Sequence, residues 1–311
     1  HVIQKSDKKY NMMKKKNRRK DKRNMEEGKK KGKIGVQMMM LKAQIAEHGM
    51  YQVLKKLNEM GFHAVEVSQI AMTPDTVCQM QRAREEFGMD IAAMSCALEP
   101  FGAGIDSPFD TLRDDFDKLV ADCKAVGCTI LRIGMLQFSY ATSFEGFIEM
   151  ARKLDEYAQK LHEYGIDLYY HAHNFEFALW KKKPILTHMM EQTRHLGFEL
   201  DSHWMWRGGV NPVDYLRSFK GRVRMQHLKD YKIGFPEKYD LSIGYLVFGA
   251  IEEFTEVGEG TLDMPAIIEA GLDSGSEYFM IEQDNTYGRD VYESLAISRD
   301  NLIKMGYGEW F

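Results

Sequence analysis

Apolar residues fall along this chain in two alternating rhythms. Short apolar runs such as Ile34-Gly35-Val36, Ala64-Val65-Glu66-Val67 and Ile130-Leu131-Arg132-Ile133 have the length of buried strands. Between them lie longer stretches in which apolar residues recur at helical spacing, as at Ile45, Val53, Leu54 and Leu57, ending at Gly61. Thr73-Pro74 and Asn211-Pro212 each pair a capping side chain with a first-turn proline, which marks two helix starts. The pattern predicts strands at 34–38, 64–67, 91–94, 130–133, 168–171, 197–201, 222–227 and 277–282. Helices fill the intervals, over about 41–60, 73–87, 109–126 and 143–164 in the first half. The later ones start near Asn211 and Asp263, and the last covers about 291–305. Eight strand–helix pairs in strict alternation predict a (β/α)8 TIM barrel over 33–311. A doubly wound open sheet is the runner-up, without a GxGxxG or P-loop after the first strand to support it.

Polar residues punctuate the ends of the later strands. Asp201 follows Phe198-Glu199-Leu200, His227 follows Met225-Gln226, and Glu282 follows Phe279-Met280-Ile281. The fifth strand runs into Tyr170-His171-Ala172-His173-Asn174-Phe175-Glu176-Phe177. In a barrel these ends converge on one face, so two carboxylates and an imidazole meet there. That donor set suits a hard or borderline divalent ion, Mn²⁺ first, with Mg²⁺, Co²⁺ or Zn²⁺ as alternatives. Strand five is expected to supply a fourth ligand. Glu176 is the first choice because it completes a set of three carboxylates and one histidine, and His171 or His173 are the substitutes.

Each residue also has a plainer reading. A strand-end aspartate such as Asp201, before Ser202-His203, is often a helix cap. His173, His203 and Lys229 would satisfy loop backbone equally well. His48, His63, His162, His188 and His195 lie on or beside predicted helices and receive no role, and Met38, Met39 and Met40 read as core packing. What outweighs the plainer readings is four polar strand ends in succession.

Charge divides the chain. Residues 1–33 hold 15 Lys+Arg against 4 Asp+Glu, which leaves 27 against 42 for the remainder of the sequence. Residues 1–32 lack hydrophobic periodicity and read as a solvated tail. A second reading makes Met25 the true start and residues 1–24 a translated ribosome-binding region. The acidic body argues against a nucleic-acid substrate. Cys78, Cys96, Cys123 and Cys128 show no CxxC spacing and read as reduced thiols, which fits a cytoplasmic protein. No apolar run is long enough for a membrane span. Residues 231–256 form an insertion too long and apolar for an ordinary connection, expected to be a lid or a subunit interface.

Together with Leu200-Asp201-Ser202-His203-Trp204, His227-Leu228-Lys229-Asp230, Val257-Gly258-Glu259-Gly260 and Ile281-Glu282-Gln283-Asp284, the Tyr170–Phe177 stretch resembles the xylose isomerase-like TIM barrels of the sugar phosphate isomerase/epimerase superfamily. The resemblance covers about 34–307. It implies a metal held by Glu176, Asp201, His227 and Glu282, and removal of a proton beside a carbonyl of a sugar or keto-sugar. Many epimerases of the superfamily carry the first glutamate within strand five, where this chain has histidine. His171 is therefore assigned proton transfer, with Glu282 as the second catalytic group, and His173, His203, Trp204 and Lys229 are assigned substrate contacts. The His-x-His and Phe-Glu-Phe arrangement is also similar to the catalytic subunit of C-glycoside deglycosidases, which implies a lyase acting on 3-keto C- or O-glycosides beside a small partner subunit. The expected assembly is an oligomer, with no nucleic acid or membrane partner. An abasic-site endonuclease and a non-catalytic sugar-binding barrel are the remaining readings.

Overall fold

The computed structural model describes residues 31–102, 105, 107–234 and 252–311. Most of the basic tail and the centre of the 231–256 insertion, including Phe235-Pro236 and Tyr245–Gly249, lie outside the described residues.

Eight parallel strands close into a barrel: β1 (Lys33–Gln37), β2 (Ala64–Val67), β3 (Asp90–Cys96), β4 (Ile130–Ile133), β5 (Asp167–His171), β6 (Gly197–Asp201), β7 (Met225–Leu228) and β8 (Tyr278–Ile281). Closure is made by β1, which pairs with β2 on one side and with β8 on the other, so the open-sheet alternative is excluded. The helices are α1 (Lys42–His48), α2 (Met50–Glu59), α3 (Pro74–Phe87), α4 (Phe116–Val126), α5 (Phe144–His162), α6 (Ile185–Glu191), α7 (Ser202–Arg207), α8 (Pro212–Ser218), α9 (Met264–Ser274) and α10 (Val291–Leu302). Among the described residues no helix is long and apolar enough to cross a membrane.

Local chemistry explains most of these boundaries. The Thr73 side chain accepts a hydrogen bond from Thr76 N at the start of α3, and Gly88 ends that helix in the left-handed conformation. Asn211 caps α8 in the same manner. The single helix expected over 41–60 is two, because Gly49 has φ 84° and turns the chain between α1 and α2. The helix expected from 109 starts only at Phe116, since Ala97 and Thr111 form a parallel bridge that extends the β3 loop.

Leu54, Leu57, Leu119, Leu154 and Leu295 are fully or almost fully buried between helices and barrel. The barrel interior is different, because strand residues there are polar as well as buried: Gln37, Glu66, Arg132, Glu199 and His227. Register brings them level, pairing Gln37 with Glu66, His171 with Glu199 and Asp201 with His227 on neighbouring strands. At the C-terminal face the insertion begins and ends as an antiparallel hairpin, Asp230–Ile233 against Glu252–Thr255.

Candidate metal centre

His227 stands at the middle of the polar interior. Its Nδ1 lies 2.8 Å from Glu282 Oε2 and 3.6 Å from Asp201 Oδ2. On the opposite edge of the ring, Nε2 lies 2.9 Å from Glu66 Oε2 and 3.1 Å from Glu199 Oε1. All five residues are buried. Burial alone would lower the His227 pKa, but the Glu199, Glu66 and Glu282 carboxylates hold it well above the usual histidine value.

One ligand atom each from His171, Asp201, His227 and Glu282 falls within 4.8 Å of the others, a grouping able to hold an ion. The donor set fits the divalent cation that the resemblance implies. Asp201 Oδ2 is buried without a hydrogen-bond partner, which is costly unless something else satisfies it. Charge points the same way: among the described residues, Glu66, Glu199, Asp201 and Glu282 are buried beside two permanent cations, Arg132 and Lys229. A divalent ion offsets that negative excess.

Asp201 shows that its two readings are compatible. Oδ1 accepts from His203 N at 2.8 Å and Trp204 N at 2.9 Å, capping α7, while Oδ2 remains directed at His227. Glu282 is held between Gln37, whose Nε2 donates to Oε1 at 2.6 Å, and Lys229, whose Nζ donates to Oε2 at 3.1 Å. Burial raises the Glu282 carboxyl, yet Lys229 and His227 together bring it well below the usual range. Lys229 also donates to Asp284 at 2.7 Å, and burial with the Glu282 charge pushes Asp284 up to about 6.

The structure places Glu176 outside this cluster. After β5 the chain makes a 3-10 turn, Phe175–Phe177, that brings the glutamate to Tyr170 and the His173 backbone. There Oε1 accepts from the Tyr170 hydroxyl at 2.5 Å and Oε2 accepts from His173 N at 3.0 Å. Both carboxylate oxygens are thereby used, and His171 takes the corner expected for Glu176. Burial, Arg132 and His227 push His171 down to about 4, so its imidazole is neutral and able to ligate.

A cavity of about 300 Å³ opens over the cluster and is bordered by His171, His173, Lys229, Glu282, Asp284 and Met135. His173 packs edge-on against His171 and lies 5.5 Å from the Trp204 ring. Trp204 in turn carries the Lys229 ammonium 4.8 Å above its ring. His203 does not border the cavity: it is packed among Trp204, Trp206, Tyr231 and Phe254. Three residues that the strand-end reading missed are Glu66, Arg132 and Glu199. Arg132 Nε donates to Glu199 Oε2 at 2.5 Å, and a guanidinium nitrogen lies 2.9 Å from Glu66 Oε1. The signal was present, since a charged residue inside a buried apolar run needs an internal partner.

Asp230 explains a further motif. Its carboxylate accepts from the backbone N–H groups of Tyr231, Gly258, Gly260 and Leu262, so that it ties the Val257–Gly260 turn to the base of the hairpin.

Comparison with known proteins agrees with this architecture. The family model described as xylose isomerase-like TIM barrel matches residues 54–301. No curated protein matches by sequence. Among solved structures, a sugar phosphate isomerase/epimerase from Parabacteroides distasonis superposes with TM-score 0.67 at 17% identity, covering 90% of this chain and 96% of that one. The 3-keto-D-glucoside 4-epimerase of E. coli gives 0.60 at 17% identity, covering 88% and 99%. The IolI protein with a bound zinc atom gives 0.62 at 14% identity, covering 90% and 99%.

Proposed function

Because the chain belongs to the xylose isomerase-like TIM barrel family, we propose that it is a divalent-metal-dependent enzyme that removes a proton next to the carbonyl of an uncharged sugar or keto-sugar. The observation that carries the reading is the convergence of His171, Asp201, His227 and Glu282 at the C-terminal face, with a buried Asp201 oxygen that no hydrogen bond satisfies. We assign the ion to these four residues. When bound, it polarises the substrate carbonyl and lowers the cost of the charge that develops there.

The remaining side chains divide the work. His173 borders the cavity and is kept neutral by burial, so that a ring nitrogen is available to hydrogen-bond substrate. The Lys229–Asp284 pair also borders the cavity, where the ammonium donates hydrogen bonds to substrate oxygen and the carboxylate holds it in place. A carbonyl polarised by the ion, beside a neutral imidazole and a fixed ammonium, supports isomerisation or epimerisation.

The engagement of the cations supports an uncharged substrate. Among the described residues bordering the cavity, Arg132 and Lys229 are the cationic groups, and each is already engaged by two carboxylates. Neither is free to neutralise a phosphate dianion. Met39 and Met135 add apolar surface for the carbon skeleton. A solved structure of similar fold is a 3-keto-D-glucoside 4-epimerase, which supports testing keto-glycosides first.

Incubating Mn²⁺-loaded protein with keto-sugars and keto-glycosides in D₂O tests the reaction class. Deuterium on carbon with the skeleton intact supports isomerisation or epimerisation. Release of an aglycone supports the lyase reading of the same proton-abstracting site, and no exchange with any carbonyl sugar contradicts both.

A further inference from the structure

The ion-binding reading leaves unexplained why the barrel spends two more buried carboxylates, Glu66 and Glu199, and a buried arginine beneath the site. Glu66, Glu199 and His227 on their own form a second grouping of possible ligands. Arg132 engages the oxygens of both carboxylates that do not face His227. Its nitrogens lie 2.5 Å from Glu199 and 2.9 Å from Glu66, and it also donates to Ser68 and Ser95 at 3.1 Å and 3.0 Å. Two carboxylates, two hydroxyls and a guanidinium thus make a closed plate across the barrel interior, with Arg132 only 1% exposed.

The upper edge of this plate touches the two histidines of the candidate site. Glu199 Oε1 is 3.1 Å from His227 Nε2, while Glu199 Oε2 is 3.2 Å from His171 Nδ1. Glu66 Oε2 meets His227 Nε2 from another strand at 2.9 Å. Both carboxylates therefore take the Nε2 edge of His227 and leave its Nδ1 edge turned toward Asp201 and Glu282. A carboxylate behind a ligating imidazole fixes the ring orientation and makes the free nitrogen a better donor.

We infer that Glu199 and Glu66, clamped by Arg132, are positioning residues that orient the imidazoles of His227 and His171 toward the ion. Arg132 bridges Glu66 and Glu199 and so holds both carboxylates in place against the histidines. The inference rests on the metal reading of the site above.

The test is a comparison of Mn²⁺ and Zn²⁺ affinity, by calorimetry and chelator competition, between the wild-type chain and Glu199→Gln or Glu66→Gln. Each variant keeps side-chain volume and an acceptor oxygen but loses the charge. Wild-type protein that binds no ion would defeat the metal reading itself. If the wild type binds, the expected result is a Kd weakened about 10- to 100-fold in Glu199→Gln, with circular dichroism and Tm little changed, and a smaller loss in Glu66→Gln, which reaches only one histidine. Wild-type affinity in folded Glu199→Gln would overturn the inference. Should the variants fail to fold, long-range ¹H–¹⁵N spectra of the Zn²⁺-loaded wild type decide: a proton on His227 Nε2 with the ion-induced shift on Nδ1 supports it, and the reverse assignment overturns it.

Discussion

The Tyr170 hydroxyl donates a 2.5 Å hydrogen bond to Glu176, and both side chains are completely buried. The pair locks the turn after β5, because the second Glu176 oxygen holds the His173 backbone. Tyr170→Phe strips the carboxylate of one partner and is expected to lower unfolding free energy by about 1–3 kcal/mol in urea titrations. Metal content should stay at the wild-type level. Loss of bound metal in a folded Glu176→Gln variant would return Glu176 to the ligand set.

Lys229 is expected to couple stability to catalysis. Replacing it with Met leaves Glu282 and Asp284 facing each other in a buried site, a change that costs about 3–5 kcal/mol when a buried pair loses one partner. Lys229→Arg should recover much of the stability, since charge is retained. It should not restore kcat, because the planar guanidinium presents its donors differently. Equal recovery of stability and kcat would remove the substrate-facing role proposed for the ammonium.

Asp230 offers a test of the hairpin base. Asp230→Ala deletes four backbone hydrogen bonds at once. Bonds to a charged acceptor contribute about 1.5–3 kcal/mol each at most, and water replaces part of the loss. The variant should be cut faster by protease between 252 and 262 while the barrel's far-ultraviolet signal persists. A wild-type cleavage rate would show that the turn is held by other contacts.

Much of the barrel was legible because its strands and helices differ in apolar period, and because Thr73-Pro74 and Asn211-Pro212 mark helix starts chemically. Where the reading departed from the structure, a specific interaction intervened. The seventh strand starts at Met225 rather than at 222, since Arg222 turns its side chain to the carbonyls of Leu196 and Thr193. Asp201, His227 and Glu282 were visible as strand ends, and the structure brings them together. Glu176 stands apart from that grouping, because spacing does not reveal which way a loop turns. Glu66, Arg132 and Glu199 were overlooked for another reason: inside apolar runs they were read as parts of strands, although Glu199 is two residues from Asp201 and so shares its face.

The central claim is that His171, Asp201, His227 and Glu282 hold one divalent ion. Its most direct test is elemental analysis with Mn²⁺ and Zn²⁺ titration of the purified chain beside Asp201→Ala and His227→Ala. One ion per wild-type chain, with affinity falling by about 100-fold or more in folded variants, is the predicted result. Unchanged metal content in both variants would contradict it.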